Sequence, residues 1–337
     1  MWGVSKTTRA AQTARIPVSQ STPPALPAQV MRRFVSQPGF LLARINQIYV
    51  ALHNEVSKGR TPAQAELLLL LASGETPDQI SLARAAGLDT STTALVLTNL
   101  EGQGLIVREP DPDDRRRSLL RLTSSGRRQM GGVRDAFLET QSRLVEPLEA
   151  AAAADVARML RQIGANPMSP APLWVPEDRH AGVGENIVTS SFGFLSRRAL
   201  QVSEACFLAC AESLNLTPRQ FSALFIVNRI PQLSQVAFSR VFGLDPATCA
   251  VILKNLASRG LLVRRVSSED RRERLYSLTA EGRAVLEAAQ PMVDKSERLV
   301  LHALSNAEVR RLVTRLLQIV RTQSHRLAFP GAGFSSP

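Results

Sequence analysis

A long block of this sequence occurs twice in the same register. One copy spans residues 88–123 and the other spans residues 244–279, a shift of 156 positions without an insertion. Each copy contains an apolar helix-like run, a Gly-Leu pair, an Asp-Arg-Arg turn and a Leu-Thr pair. A repeat of this length at one shift indicates two similar structural units in one chain.

Within each copy, helix and turn signals alternate in the order of a winged helix-turn-helix. In the first half, Gly87 ends a short helix and Asp89 caps the next one. Gly104 ends that second helix, and two apolar strands follow around a turn rich in Pro, Asp and Arg. The pattern predicts a mainly α fold with two tandem winged helix-turn-helix domains, each with a small β-hairpin wing.

The repeat and the composition between its copies predict the domain boundaries. Residues 1–36 form a basic tail that we expect to be disordered, residues 37–163 the first domain, 164–190 a linker, 191–325 the second domain, and 326–337 a loose tail. The basic tail also resembles an organelle transit peptide and could contact DNA phosphates. Trp174 leaves open a second interpretation of the linker, as a clip packed on one domain.

Charge favours a polyanionic partner. Lys and Arg exceed Asp and Glu by 41 to 29, which gives a net charge of +12 and a pI near 10.9. Nucleic acid is the first candidate and an anionic membrane surface the second. No apolar run has the length of a membrane span, and the three cysteines form no disulfide framework. We therefore expect a cytoplasmic protein associated with the nucleoid.

The most specific motifs run from the helix-turn-helix through the wing to a Leu-Thr-x-x-Gly sequence. The wing motifs are Asp114-Arg115-Arg116 and Asp270-Arg271-Arg272, and the sequences that end the block are 122–126 and 278–282. These residues resemble the MarR family of bacterial transcription regulators. The resemblance covers residues 37–163 and 191–325.

The resemblance implies a function and an assembly. MarR-family proteins normally act as homodimers whose terminal helices interlock, so two lobes in one chain imply a helical pseudodimer interface within the chain. Pairing of two chains into a further homodimer stays open. The resemblance implies a repressor that binds double-stranded DNA at an imperfect inverted repeat, with half-sites roughly 10 bp apart. The many wing cations imply an affinity that falls steeply with salt.

Candidate DNA contacts lie on the two recognition helices or in the two wings, where hydroxyl, amide and cationic groups can reach bases or phosphates. They are Thr90, Ser91, Thr92, Thr93, Asn99, Arg115, Arg116 and Arg117 in the first copy, and Thr248, Lys254, Arg271, Arg272 and Arg274 in the second. By family analogy Asp114 and Asp270 stabilise the wings, each orienting the Arg two residues later. Leu95 and Val251 stand where the family often has Arg, which weakens the case for direct base readout.

The resemblance also implies a small effector, such as an aromatic carboxylate, bound between the dimer helices and a DNA-binding lobe. Candidate lining residues are Arg44, Tyr49, His53, Arg197, Arg198 and Cys206. An Arg beside an apolar cleft suits a carboxylate. Each of these residues has the alternative of a purely structural role, and Cys206 with Cys210 also permits a redox-sensing interpretation.

An enzyme and a protein-binding adaptor are the two alternatives to a DNA-binding regulator. An enzyme is disfavoured because the sequence has no paired carboxylates in a plausible cleft, no glycine-rich phosphate loop and no His or Cys cluster at ligand spacing. We accordingly expect no catalytic residues, no metal and no cofactor. A degenerate regulator that binds a protein partner stays open because the second recognition helix begins with few polar residues.

Overall fold

The computed structural model describes residues 25–57, 59–72, 77–114, 116–172, 174, 187–268 and 270–334. Helices dominate, as predicted. The first half contains α1 (Ala25–Met31), α2 (Pro38–Val56), α3 (Pro62–Leu71), α4 (Gln79–Ala86), α5 (Thr90–Gly102), β1 (Ile106–Pro110), β2 (Ser118–Leu122), α6 (Ser124–Val145) and α7 (Ala150–Gly164). The second contains α8 (Phe192–Cys210), α9 (Pro218–Arg229), β3 (Leu233–Ser234), α10 (Gln235–Phe242), α11 (Pro246–Ser258), β4 (Leu262–Val266), β5 (Arg274–Leu278), α12 (Ala280–Val300) and α13 (Asn306–Thr322).

We call α3–α5 with β1 and β2 the first lobe, and α9–α11 with β3–β5 the second lobe. Local sequence sets their helix boundaries. Thr61 and Thr217 each close a capping box at the start of α3 and α9, with a Gln three residues later. Gly87 and Gly243 end α4 and α10 with φ of 57° and 75°, a left-handed conformation that favours glycine.

A glycine at the start of α6 and of α12 lets each wing pack against its helix. A Cβ atom on Gly126 would lie 2.1 Å from the backbone oxygen of Leu105, and one on Gly282 would lie 2.0 Å from that of Leu261. No other residue fits at that distance. The Leu-Thr-x-x-Gly motif therefore sets how closely each wing approaches the helix that follows it.

The two wings are antiparallel hairpins. In the first lobe, β1 pairs with β2 from Ile106 opposite Leu122 to Pro110 opposite Ser118. In the second, β4 pairs with β5 in the equivalent register, and β5 also pairs with the short strand β3. The predicted fold class, two tandem winged helix domains with small wings, is confirmed.

The central helices α2, α6, α7, α8, α12 and α13 join the two halves. Helices α2 and α8 pack on each other, α6 packs on α2, and α12 packs on α8. The last helices cross over: α7 of the first half packs along α8, and α13 of the second half packs along α2. One continuous apolar core results, with buried residues from both halves.

Helix α3 is buried on nearly all sides, including every residue from Gln64 to Leu71. Its apolar composition serves this core. In the described part of the chain no single helix is long and apolar enough to cross a membrane, and the only candidate is the pair α10 and α11, which is bent by 113°.

Both ends of the chain depart from the predicted boundaries. Residues 25–36 were expected in a disordered tail, but they form α1 and a 3-10 turn. Val30, Met31 and Phe34 are buried in the core of the second lobe. This expectation is wrong for residues 25–36 because their apolar side chains supply a packing surface. Residues 1–24 lie outside the described residues.

The C-terminal tail and the linker also carry packed aromatic side chains. Phe334 stacks on Phe40 of α2, with ring centroids 6.1 Å apart. Trp174 is 3% exposed and lies 5.3 Å from the ring of Phe194 of α8. The tail is therefore not loose as far as residue 334, and at Trp174 the clip interpretation describes the linker. Residues 175–186 and 335–337 lie outside the described ranges.

Candidate nucleic-acid interface and ligand cavity

One carboxylate organises the N-terminus of recognition helix α5. Asp89 accepts hydrogen bonds from the hydroxyl of Ser91 at 2.5 Å, the hydroxyl of Thr92 at 2.6 Å and the backbone N–H of Thr92 at 2.7 Å. These bonds, led by that of Ser91, lower the pKa of Asp89 to about 2. Because both hydroxyl protons point to Asp89, the outward lone pairs of Ser91 and Thr92 can act only as acceptors.

The predicted DNA contacts at this end of α5 divide into two groups. Thr90, Ser91 and Thr92 are exposed. Thr93 is fully buried, and its hydroxyl donates to the backbone oxygen of Asp89 at 2.8 Å. The prediction for Thr93 is therefore wrong, because its side chain lies on the core-facing side of the helix.

The second recognition helix, α11, begins with fewer polar groups. Asp245 caps it by accepting from the backbone N–H of Thr248 at 2.8 Å, and Pro246 and Ala247 are exposed. Thr248 is half-buried. Cys249 is fully buried, and burial raises the pKa of its thiol to about 11. The two lobes thus present different chemistry at equivalent positions.

Farther along, Asn99 is occupied by contacts within the protein. Its side-chain oxygen accepts from Gln64 at 2.8 Å and from Gln103 at 2.6 Å. The second lobe repeats the pairing between Asn255 and Gln220. These bonds use the oxygen of the amide and not its nitrogen, so a DNA contact by exposed Asn99 stays a prediction. Lys254 is exposed, and its role stays a prediction.

Each recognition helix instead exposes one large apolar side chain. Leu95 is 73% exposed on α5 and Val251 is 69% exposed at the equivalent position of α11. Single exposed apolar residues are common on protein surfaces, but these two lie at the same position of the two helices that would face DNA. Apolar side chains on a recognition helix can contact the methyl group of thymine.

The wing aspartates act on the backbone. Asp114 accepts from the backbone N–H of Arg116 at 3.0 Å, and Asp270 accepts from that of Arg272 at 2.8 Å. Each Asp closes the wing turn, as its predicted stabilising role requires, but the bond goes to the N–H and not to the guanidinium. The side chains of Arg116, Arg271 and Arg272 are exposed. Arg115 lies outside the described residues.

Two of the predicted wing contacts are also bonded within the protein. Arg117 forms an ion pair with Asp78 at 3.0 Å, and Asp78 itself caps α4. Arg274 donates to the backbone oxygens of Arg271 at 2.7 Å and Glu273 at 3.3 Å. Both guanidinium groups bond to protein oxygens and so help to hold the wings in place, and their contact with phosphates stays a prediction.

Sequence reasoning missed four exposed cations near these elements. Arg84 and Arg240 lie at equivalent positions of α4 and α10, and Arg264 and Arg265 lie on β4. The 156-position shift that relates Arg84 to Arg240 was a signal available in the sequence. These groups add positive charge beside the recognition helices and the second wing.

The six predicted effector-lining residues do not form one pocket. The hydroxyl of buried Tyr49, on α2, donates to Glu66 of α3 at 3.2 Å. Glu66, fully buried, also forms an ion pair with Arg197 at 2.8 Å, and Arg197 donates to the backbone oxygen of Ala86 at 2.8 Å. Tyr49 and Arg197 are therefore parts of an internal network that ties α2, α3, α4 and α8 together.

His53 and Cys206 are also core residues. His53 is fully buried with its Nδ1 atom 3.3 Å from the hydroxyl of Thr140, and desolvation lowers its pKa to about 4. Burial raises the pKa of the Cys206 thiol. A protonated, buried thiol is a poor nucleophile, so the redox-sensing interpretation gains no support. Within the described residues no group of His, Cys, Asp and Glu is placed to hold a metal ion.

The remaining two predicted arginines bond to backbone oxygens. Arg198 donates to Gly164 at 3.0 Å. Arg44, in α2, donates to the backbone oxygens of Phe242 and Gly243, at the end of α10. Burial lowers the pKa of Arg44 to about 10, which leaves it charged at neutral pH. A carboxylate-binding role is therefore not open to the groups that make these bonds.

A cavity of about 190 Å³ lies between α2, α8, α9, α12 and the end of α10. Of the six predicted effector residues it is lined by Arg44 alone. Its apolar walls include Phe34, Phe40, Phe207, Phe221, Phe242 and Val293. Glu204, Glu297 and Arg219 supply further charged groups, and burial raises the pKa of both glutamates. The cavity adjoins the Arg44 bonds to the second helix-turn-helix.

Comparison with known proteins agrees with this geometry. Two family models, both described as MarR family, match residues 61–118 and 214–273. The transcriptional regulator HosA of Escherichia coli O127:H6 (strain E2348/69 / EPEC) is 36% identical over 107 residues, which cover 32% of this chain and 76% of HosA.

Solved structures also match single halves of the chain. A probable transcriptional regulator from Pseudomonas aeruginosa is 32% identical, with 37% of this chain and 96% of that chain covered and a TM-score of 0.35. The transcriptional repressor CouR, bound to a 23-mer DNA duplex, is 30% identical, with 40% and 96% covered and a TM-score of 0.38.

Two winged lobes with exposed recognition helices and basic wings define a DNA-binding winged helix-turn-helix protein. The chain belongs to the MarR family, in a tandem form with two MarR units, and is a transcriptional regulator.

Proposed function

We propose that this regulator is a repressor that binds an imperfect inverted repeat in double-stranded DNA as a pseudodimer within one chain. The crossing of α7 onto α8 and of α13 onto α2 is the observation that carries the proposal. It joins the central helices of both halves in one core, and each winged lobe packs on those helices, which is what two half-sites on one DNA face require. A second chain is therefore not needed to supply two DNA-binding lobes.

The two lobes would share the work unequally. Thr90, Ser91 and Thr92 offer acceptors and methyl groups to base edges in one half-site. In the other half-site, Val251, Thr248 and Lys254 would give one apolar, one hydroxyl and one cationic contact, so discrimination there is weaker. Leu95 would add a thymine methyl contact in the first half-site.

The wings would supply most of the affinity. Arg116, Arg271 and Arg272 are exposed at the tips of hairpins that their aspartates hold closed. Cations in such turns can contact phosphates and the minor groove. Half-sites would lie roughly 10 bp apart, one turn of the double helix.

The cavity beside Arg44 would bind a small aromatic effector that releases the DNA. Arg219, exposed at the cavity, is the cation that a carboxylate of such an effector would meet, since Arg44 is bonded to Phe242 and Gly243. A ligand that changed the position of Arg44 would move α10 and with it α11. The setting of this activity would be the cytoplasm, at the nucleoid.

The test is binding of the full chain to DNA from upstream of its own gene, measured by fluorescence anisotropy at several salt concentrations. The expected result is specific binding whose log K falls linearly with log salt, with a slope near −0.9 for each phosphate contacted. A nearly flat dependence would reject the proposal. The exposed Leu95 and Val251 also suit an adaptor that binds a protein partner, and such an adaptor would show no specific, salt-sensitive complex with this DNA.

A further inference from the structure

The two halves place different residues at one equivalent point. Helices α2 and α8 correspond at a shift of 154 positions. A Cβ atom on Gly193 would lie 2.6 Å from Cε2 of Tyr49, and one on Gly39 would lie 2.6 Å from the hydroxyl oxygen of Ser203. The phenol ring of Tyr49 and the short side chain of Ser203 therefore occupy equivalent places between α2 and α8.

The Tyr49 ring fills its place between α2 and α8. Tyr49 is 1% exposed, and the bonds that its hydroxyl and the guanidinium of Arg197 donate to the Glu66 carboxylate close the space between α2, α3 and α8. Burial, and then the Glu66 carboxyl, raises the pKa of Tyr49 well above its usual value. The group that fills the first half is therefore a neutral phenol held by a carboxylate.

Around Ser203, on the other side of the pseudo-symmetric pair of α2 and α8, the three equivalent positions carry shorter side chains. Ser203 corresponds to Tyr49, Ser222 to Glu66 and Ala43 to Arg197. All three line the cavity of about 190 Å³. An apolar cavity of ~150 Å³ holds a benzene ring, so this one has room for a single substituted ring.

We propose that Tyr49 is a built-in occupant that permanently closes the first half, and that the second half binds one small phenol per chain in the place that Ser203 leaves open. The inference rests on the proposed function, because it gives the effector site its ligand class and its stoichiometry. The effector then acts on the second lobe alone, while the first lobe stays fixed by its own side chains.

Polar groups at the cavity suit a phenolic hydroxyl. Glu297 corresponds to Gln141, whose side chain bonds the backbone N–H of Gly193 at 2.8 Å in the first half. Within the described ranges the carboxyl of Glu297 has no hydrogen-bond partner, and Ser222 also lines this site, its hydroxyl donating to the backbone oxygen of Pro218 at 2.9 Å. A phenol O–H that donates to Glu297 would repeat the bond between Tyr49 and Glu66.

The experiment is a ¹⁹F NMR titration of the full chain with 4-fluorophenol. We expect one saturable site per chain, and binding at least tenfold weaker for 4-fluorotoluene, which lacks the hydroxyl. The substitution Ser203→Tyr should weaken 4-fluorophenol binding at least tenfold, because it installs the occupant of the first half. Leu208→Tyr, on the same helix but 47% exposed and outside the cavity, should leave binding unchanged.

A second variant tests the closed half. Tyr49→Ser, Glu66→Ser and Arg197→Ala together give the place around Tyr49 the residues found around Ser203, and the titration should then find two sites per chain. If circular dichroism shows that this variant is unfolded, the stoichiometry of the unaltered chain and the Ser203→Tyr result decide. Two sites in the unaltered chain, no saturable binding, or full binding by Ser203→Tyr would overturn the inference.

The same samples separate this inference from the proposed function. DNA binding without 4-fluorophenol binding would reject the ligand class and leave the DNA-binding proposal standing. Saturable 4-fluorophenol binding in a chain that does not bind DNA would reject the DNA-binding proposal and leave the ligand class standing.

Discussion

The guanidinium of Arg44 in α2 donates a hydrogen bond to the backbone oxygen of Phe242, the last residue of α10 in the other half. A matching bond joins Arg197 in α8 to the backbone oxygen of Ala86, the last residue of α4, at 2.8 Å. Each helix-turn-helix is thus tied to a central helix that begins the opposite half. Any event that shifts the central helices has a direct route to the DNA-binding lobes.

Removal of the Arg44 side chain should destabilise the fold. Arg44→Ala leaves the backbone oxygens of Phe242 and Gly243 without their donor in a buried site, at a cost of about 2–4 kcal/mol. Urea unfolding followed by circular dichroism measures the change, and Arg32→Ala, at an exposed position, is the control. A loss no larger than that of the control would mean that the bonds contribute nothing net.

Asp89 should contribute a pH-dependent cap. Its folded pKa of about 2 lies below the unfolded value, so its contribution is complete above pH ~4 and is lost as pH falls toward 2. Asp89→Asn keeps a capping oxygen but does not titrate. The difference in melting temperature between the unaltered chain and Asp89→Asn should shrink from pH 5 to pH 2, as differential scanning calorimetry would show. A constant difference over that range would contradict the assignment.

The exposed wing cations should control the salt dependence of DNA binding. Arg116→Ala and Arg272→Ala should each weaken binding to all sequences and lower the magnitude of the salt slope by about 1. Arg117→Ala should change the slope less, because Arg117 pairs with Asp78. Arg310→Ala, exposed on α13, controls for net charge. Equal slope changes in all four variants would show that only overall charge matters.

The exposed apolar residues of the recognition helices should affect specificity without affecting stability. Leu95→Ala and Val251→Ala should each reduce the preference for operator over random DNA by on the order of 1 kcal/mol, about fivefold. The salt slope and the melting temperature should not change, since neither side chain is buried. Competition anisotropy with uracil in place of thymine gives a second readout, because it removes the methyl group that these side chains would contact.

Much of the fold could be predicted because its signals are local. The capping boxes at Thr61 and Thr217, the cap at Asp89 and the left-handed Gly87 and Gly243 each involve residues only a few positions apart. Because the sequence is repeated, the same local signals occur again in the second half. The family resemblance rested on the same short-range motifs and is confirmed by the comparisons.

The predictions that need correction concern residues whose role depends on contacts with distant parts of the chain. Thr93 has a side chain that suits a DNA contact, but its burial removes that role, and the amide oxygen of Asn99 is taken by Gln64. The composition of residues 25–36 is that of a disordered tail. Only the folded structure shows the surface of the second lobe on which they pack. Arg117 has the sequence position of a phosphate contact, and only the folded wing brings it to Asp78.

The sequence by itself therefore determined two winged lobes, their caps, their wings and their family. Only the tertiary structure decided that Tyr49 fills one half while Ser203 leaves a cavity in the other, and that Arg44 reaches Phe242, 198 positions away. The physical reason is the separation along the chain of the groups that interact. A cap is complete within one turn of helix, whereas a cavity or a buried guanidinium depends on side chains from several helices that meet only when the chain is packed.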